Sequence, residues 1–268
     1  MEIKNVWAVY FSATGNTKKV VTSVAKTLSE NLAASYQAFS FNLPQNRNQE
    51  LTFGADDLVV FGVPIYAGRV PNLLLPFIRD KVFGNKTLSI PLVMYGNRNY
   101  DDGLIELCNV MQDNGFCPIA AGAFVGEHSF SHTLGAGRPD SEDMALAQEL
   151  AQKAAEKVLL LTGPPKETII VPGSNPIKGF LKAKPKTDPD KCVDCGHCAQ
   201  ICPMGAIDPN DISNVIGTCI KCCACIKNCP MDAKYFDHEG FLYHQHELED
   251  VYGIRRAPSE AFFKSTGY

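Results

Sequence analysis

In the first half of the chain, short unbroken apolar runs alternate with longer periodic stretches. Residues 6–11, 35–41, 57–63, 88–95 and 118–124 read as strands. Residues 16–32, a stretch from about 71, 103–114 and 141–161 repeat their apolar positions at helical spacing. Runs such as Leu58-Val-Val-Phe-Gly-Val-Pro64 have no polar face. That suits strands covered on both sides by helices. The pattern predicts an α/β fold with a doubly wound, parallel, five-stranded sheet, whose ligand binds beyond the carboxyl ends of the strands.

The pattern breaks down after residue 162. Region 163–187 is rich in Pro, Gly and Lys, with Pro164, Pro165, Pro172, Gly173, Pro176 and Lys182-Ala-Lys-Pro-Lys186, and it reads as a linker. Beyond it lie a cysteine-rich unit, 188–238, and a tail, 239–268. The tail's Phe241, Tyr243, Tyr252, Phe262 and Phe263 predict that it packs on a neighbour. A length of 268 residues suits one domain, 1–162, plus a smaller one. The net charge of −4 argues against nucleic acid as a partner. No apolar stretch is long enough to cross a bilayer, and the N-terminus leads straight into a strand, so no membrane contact and a cytoplasmic location are expected.

The chemistry begins with the cysteines. Two of the eleven, Cys108 and Cys117, precede the linker, and the other nine fall between Cys192 and Cys229. Cys192-Val-Asp-Cys-Gly-His-Cys-Ala-Gln-Ile-Cys-Pro203 is repeated as Cys219-Ile-Lys-Cys-Cys-Ala-Cys-Ile-Lys-Asn-Cys-Pro230, each copy reading C-x2-C-x2-C-x3-C-P. Three thiolates at two-residue gaps wrap one iron–sulfur cube, and the fourth, before proline, reaches the cube of the other repeat. The spacing therefore predicts two 4Fe-4S clusters. Cluster one takes Cys192, Cys195, Cys198 and Cys229, and cluster two takes Cys219, Cys222, Cys225 and Cys202. Zinc favours two separated C-x2-C pairs and fits this run poorly. Cys223, Cys108 and Cys117 read as packed residues. Asp194 in the first loop and Lys221 in the second predict a higher potential for cluster two.

A second site is predicted at the first strand's end, where Ser12-Ala-Thr-Gly-Asn-Thr17 opens a helix. The hydroxyls of Ser12, Thr14 and Thr17 and the backbone of Gly15 and Asn16 can hold a phosphate at such a terminus. The turn matches neither the Walker nor the dinucleotide-binding motif. Two more loops leave strand carboxyl ends, Pro64-Ile-Tyr-Ala-Gly-Arg-Val-Pro71 and Tyr95-Gly-Asn-Arg-Asn-Tyr-Asp-Asp102. Each brings an aromatic ring and a glycine, which suits a flat ring system.

These three loops resemble those of the flavodoxin family, over about residues 6–161. The whole chain resembles the bacterial and archaeal fusions of a flavodoxin-like domain to a two-cluster ferredoxin domain. The resemblance implies FMN, with phosphate on Ser12, Thr14, Gly15, Asn16 and Thr17. It places the isoalloxazine between Pro64, Tyr66, Ala67 and Gly68 on one side and Gly96, Asn97 and Tyr100 on the other, with Tyr95 turned toward the core. Arg69 is left either to neutralise charge on reduced flavin or to face water. The long loop 126–140 departs from simple flavodoxins. Its Glu127, His128, His132 and Arg138 suit a flavin cap, a small-substrate site or a dock for the ferredoxin part.

By the same resemblance, the chain is expected to be an electron-transfer iron-sulfur flavoprotein. It would pass single low-potential electrons between two 4Fe-4S clusters and FMN, with ferredoxin-type redox proteins as partners. The alternative is a ferredoxin- or NAD(P)H-linked flavoenzyme reducing a small molecule over the FMN, with His128 or His132 as proton donor. A redox sensor is a third reading, with no DNA-binding motif behind it. A head-to-tail homodimer, with one subunit's clusters beside the other's flavin, would carry the same sequence signature.

Overall fold

The computed structural model describes residues 1–165, 167–174 and 183–264. The first unit runs β1 (Asn5–Tyr10), α1 (Asn16–Asn31), β2 (Ser35–Ser40), β3 (Leu51–Phe53), β4 (Asp57–Pro64), α2 (Leu75–Lys81), β5 (Val82–Gly84), β6 (Thr87–Tyr95), α3 (Gly103–Asp113), β7 (Phe116–Pro118), β8 (Ala121–Val125) and α4 (Ser141–Leu160). The five expected strands are β2, β1, β4, β6 and β8, adjacent in that order and parallel throughout.

Three details differ from expectation. The last strand is divided: β7 pairs with the start of β6 and β8 with its end. Pro118, which has no N–H, ends the first pairing. The helix expected from about 71 begins at Leu75, after a turn, and carries Pro76 in its first turn, where the missing N–H costs nothing. The sheet also gains a sixth neighbour along its path, β11 (Glu260–Phe262) from the tail, antiparallel to β8. The tail's packing neighbour is therefore the sheet itself. No signal in a three-residue strand could have named its partner.

Both faces of the sheet are covered. α1 and α4 bury Val20, Val21, Val24, Leu28, Leu150, Ala154 and Val158 on one face. On the other, α2 and α3 bury Phe77, Ile78, Leu104, Leu107 and Met111 with the strand residues Val59, Phe61 and Val63. Ile220, Cys222 and Ala224 of the cysteine-rich unit join this second core, so that unit is seated on the α/β domain.

The cysteine-rich unit contains β9 (Lys186–Thr187), α5 (His197–Gln200), α6 (Ala224–Lys227) and β10 (Lys234–Tyr235). β9 and β10 pair antiparallel and close the unit at its two ends. The sequence repeat is also a backbone repeat. Left-handed φ angles recur at Asp194 and Lys221 (54° and 57°), Gly196 and Cys223 (72° and 56°), and Gly205 and Asp232 (57° and 49°). Then α7 (Glu239–Tyr252) buries Phe241 and Leu248 and leads back to the sheet. Residues 175–182 of the expected linker lie outside the described residues. Its earlier part is packed: Ile169 joins the core, and the Ser174 N–H donates to Asp102 Oδ1 at 2.6 Å.

Among the described residues, no helix is long and apolar enough to cross a membrane.

Candidate functional site

At the carboxyl ends of β1, β4, β6 and β8 the chain leaves an open crevice of about 440 Å³, solvent included. Its floor is the turn before α1, with Ala13, Thr14, Asn16 and Thr17. Gly15 precedes the helix with φ 97° and has no side chain to cap it. A Cβ built on Gly15 would meet nothing within 4 Å. The turn is thus open on the Gly15 side, at the N–H end of the helix, where an anion can bind. Ser12 plays a different part from the one expected. It is buried, its Oγ accepts from the Lys18 N–H at 3.0 Å, and Asn42 brackets its backbone through two hydrogen bonds of 2.7 and 2.8 Å. Ser12 shapes the turn, while Thr14 and Thr17 line the crevice.

One wall carries Pro64, Ile65 and Tyr66, as the sequence suggested. Ala67 is exposed at the rim and Gly68 is buried beneath, against Asp101. The opposite wall is Met94, Tyr95 and Gly96 together with Gly126, Glu127, His128 and Ser129. The expectation for Asn97 and Tyr100 is corrected here. The Asn97 amide donates to Tyr252 O (2.9 Å) and Arg255 O (2.8 Å), and its Oδ1 accepts from the Ala257 N–H (2.9 Å). Tyr100 is buried edge-on to Tyr95, and burial with Glu260 beside it holds its phenol well above the usual range. Both residues secure the tail. Tyr95 turns into the core as expected, its hydroxyl donating to Pro258 O.

The long loop supplies part of the second wall. A Cβ on Gly96 would lie 2.1 Å from the His128 ring, so only glycine lets that ring close over the strand end. Burial pushes His128 down to about 4. Its Nδ1 accepts from the Phe130 N–H at 3.1 Å, and the ring stands edge-on to Phe130. A neutral, buried imidazole with one nitrogen engaged is a poor general acid at neutral pH, which removes the reason for casting His128 as proton donor. His132 is exposed, 3.2 Å from Lys227 Nζ, and not on the crevice. Arg138 is buried in an ion pair with Asp143 and also donates to Ala257 O at 2.8 Å. Arg69, partly exposed and not on the crevice lining, grips Glu106, with an Nε–Oε2 distance of 2.9 Å.

In the cysteine-rich unit, Cys192, Cys195, Cys198 and Cys229 line one cavity, and Cys202, Cys219, Cys222 and Cys225 line another, together with Cys223. These are the two crossed quartets read from the spacing. Among the described residues, no three His, Cys, Asp or Glu side chains are grouped closely enough for a single ion. Quartets spread around a cavity suit a larger inorganic group. Burial pushes the Cys225 thiol up to about 12 and raises Cys222 and Cys219 as well, an ionisation cost that metal coordination offsets. Backbone N–H groups of Ala206, Lys221 and Ala233 point at the sulfurs of Cys202, Cys219 and Cys229, each at 3.3 Å. Cys223 is packed, as expected, beside Phe236 and Phe241.

The crevice and the cysteine-rich unit approach each other at Tyr66. It lines the crevice and packs in the core that holds Cys222, and burial together with Cys222, Cys223 and Cys219 raises its phenol pKa. Two cations bind the units together around it. Arg47 donates to Phe41 O and Asn42 O on one unit and Pro203 O on the other, and Lys227 reaches Glu127, Ser131 O and His132. Arg47, Lys227, Asn42 and Met94 were not found from sequence. Isolated cations and an amide carry no motif until the fold brings their partners near.

Residues 8–106 match the family model of the flavodoxin domain, and residues 185–208 match that of the 4Fe-4S binding domain. The chain joins a flavodoxin domain to a 4Fe-4S binding domain. This combination makes it an electron-transfer iron-sulfur flavoprotein. Similar solved structures include a flavodoxin from the domain Archaea (15% identity, 59% of this chain and 99% of that one, TM-score 0.39). A flavodoxin of Streptococcus pneumonia TIGR4 is 17% identical over 57% of this chain and 99% of its own, with TM-score 0.42. The apo NADH:FMN oxidoreductase EMOB is 13% identical over 60% of this chain and 92% of its own, with TM-score 0.39. No curated protein matches the chain. The residues present fit the groups that such domains hold. The helix-opening turn with Thr14 and Thr17 suits the phosphate of FMN, and the cysteine-lined cavities suit iron–sulfur cubes.

Proposed function

We propose that this protein passes single low-potential electrons between FMN in the crevice and two 4Fe-4S clusters in the cysteine cavities, within one chain. The observation that carries the reading is the place of Tyr66, which lines the crevice and packs against the same core as Cys222. Bound there, FMN would exchange electrons in twos or singly, and each cluster would carry one at a time.

The protein's own residues do the rest. Thr14, Gly15, Asn16 and Thr17 orient the phosphate, and Pro64, Tyr66, Gly96 and His128 bound the space for the ring. Arg47 and Lys227 keep the two units in register. The cavity of cluster one is the outer one. Cys195 is exposed, and Val193 and Met231 beside it are 61% and 43% exposed, which suits exchange with a redox protein there. Attachment of the loop to Lys227 favours its role as a dock over that of a substrate lid. With Tyr66 on the crevice and against the core that holds Cys222, a head-to-tail dimer is not required.

The test is anaerobic purification with assay of iron, sulfide and FMN, followed by mixing with reduced ferredoxin, NADH and NADPH in turn. Two cubes' worth of iron and one FMN per chain, with clusters and flavin both reduced by ferredoxin, is the expected result. Rapid flavin bleaching by a pyridine nucleotide, with the clusters lagging, would move the protein to the flavoenzyme reading.

A further inference from the structure

Lys234 stands out in the cysteine-rich unit because it is only 4% exposed. It lies in β10 opposite Thr187, and its Nζ donates to Thr187 Oγ1 at 2.6 Å and Ile212 O at 2.5 Å. Among the described residues it has no carboxylate partner. An ammonium taken out of water against two neutral oxygens is strongly disfavoured. Such a residue needs a compensating negative charge.

The surroundings identify that charge. Lys234 lines the cavity of cluster one together with Cys192, Cys195, Cys198 and Cys229. Ile212, whose carbonyl it holds, packs among Cys192 and Cys198 of one quartet and Cys202 and Cys225 of the other. By contrast, Asp194 and Lys221 each sit inside a single cysteine loop.

We infer that Lys234 is the counter-charge shared by the two clusters. A cube held by four thiolates is a net anion that gains a further negative charge on reduction. A buried cation beside both cubes favours reduction of each and weakens the repulsion that the first electron exerts on the second. Lys234 thus allows the pair of clusters to hold two electrons at neighbouring potentials. The inference rests on the two-cluster reading above, and its test separates the two.

Wild type, Lys234→Met, Lys234→Gln and Lys234→Arg are purified anaerobically, matched for iron and sulfide, and titrated with the EPR signals of both clusters as readout. Lys234→Met is expected to make each cluster about tenfold harder to reduce, about 59 mV for one electron. The separation between the two reduction steps should widen, and Lys234→Arg should stay near wild type. Lys234→Gln retains hydrogen-bonding capacity without the charge, so it carries the test if the methionine variant loses its clusters. Two intact clusters with unmoved potentials, or a shift confined to one cluster, overturns the shared counter-charge. A wild-type chain that holds zinc or a single cluster overturns the two-cluster reading instead.

Discussion

The ammonium of Lys227, two residues past Cys225 in α6, is clamped against the carboxylate of Glu127 on the crevice wall. Only 10% of the lysine side chain is exposed, and it also donates to Ser131 O. The loop 126–140 and the cysteine-rich unit are therefore one structure around the crevice.

Lys227→Met removes all of these bonds and leaves Glu127 unpaired, a loss of about 1.5–3 kcal/mol for hydrogen bonds to charged groups. Hydrogen exchange in residues 126–134 should accelerate and electron transfer between the units should slow, with cluster and FMN content unchanged. Glu127→Gln should have the smaller effect, because Ser131 O remains as an acceptor. Equal protection of the loop in wild type and Lys227→Met would contradict the clamp.

The crossed quartets make an asymmetric prediction. Cys229 belongs to the second motif but lines the cavity with Cys192, Cys195 and Cys198. Cys229→Ala should therefore remove cluster one and spare cluster two, and Cys202→Ala should do the reverse. Substituting Lys221→Glu in each background labels the surviving cluster, since its potential should move only where cluster two remains. The opposite pattern in the EPR titration would mean uncrossed ligation.

His128 predicts a pH dependence of defined sign. Its pKa is about 4 in the fold against an ordinary 6.5, so the unfolded state binds more protons between those values. Stability from the neutral ring is fully present above about 6.5. It is lost as pH falls toward 4, by about 1.4 kcal/mol per pH unit and about 3 kcal/mol in all. Once corrected for the pH dependence of intrinsic exchange, protection of residues 126–134 should fall from pH 7 to 5.5 in wild type and much less in His128→Gln. Parallel profiles would remove His128 as the cause.

Asn97 holds the tail through three hydrogen bonds, to Tyr252, Arg255 and Ala257. At about 1 kcal/mol each, Asn97→Ala should cost about 3 kcal/mol, and more because the residue has φ 62°, a left-handed angle that alanine tolerates poorly. β11 should then lose hydrogen-exchange protection before the sheet does. Simultaneous loss throughout the sheet would show that the tail has no local stability of its own.

What could be read from sequence was local. The apolar runs of β1, β4 and β6 and the cysteine spacing each carry their meaning within a few residues, and both reappear in the fold. The second crevice wall could not be read. By resemblance it fell to Asn97 and Tyr100, yet the tail, more than 150 residues away in sequence, claims both, and His128 takes the place over Gly96. Lys227 and Arg47 look like surface cations until the second unit is docked on the first. Likewise, Lys234 follows the last cysteine as an ordinary strand residue, and only its burial sets it apart.

The central claim is that electrons cross from cluster to flavin inside one chain, past Tyr66. It is tested most directly by rapid photochemical reduction of the clusters in the anaerobic protein, following flavin absorbance over a wide range of protein concentration. The prediction is a first-order rate independent of concentration in wild type, slowed in Tyr66→Leu with its cofactors retained. A rate that rises in proportion to protein concentration, and is indifferent to Tyr66→Leu, would place the transfer between chains and contradict the account.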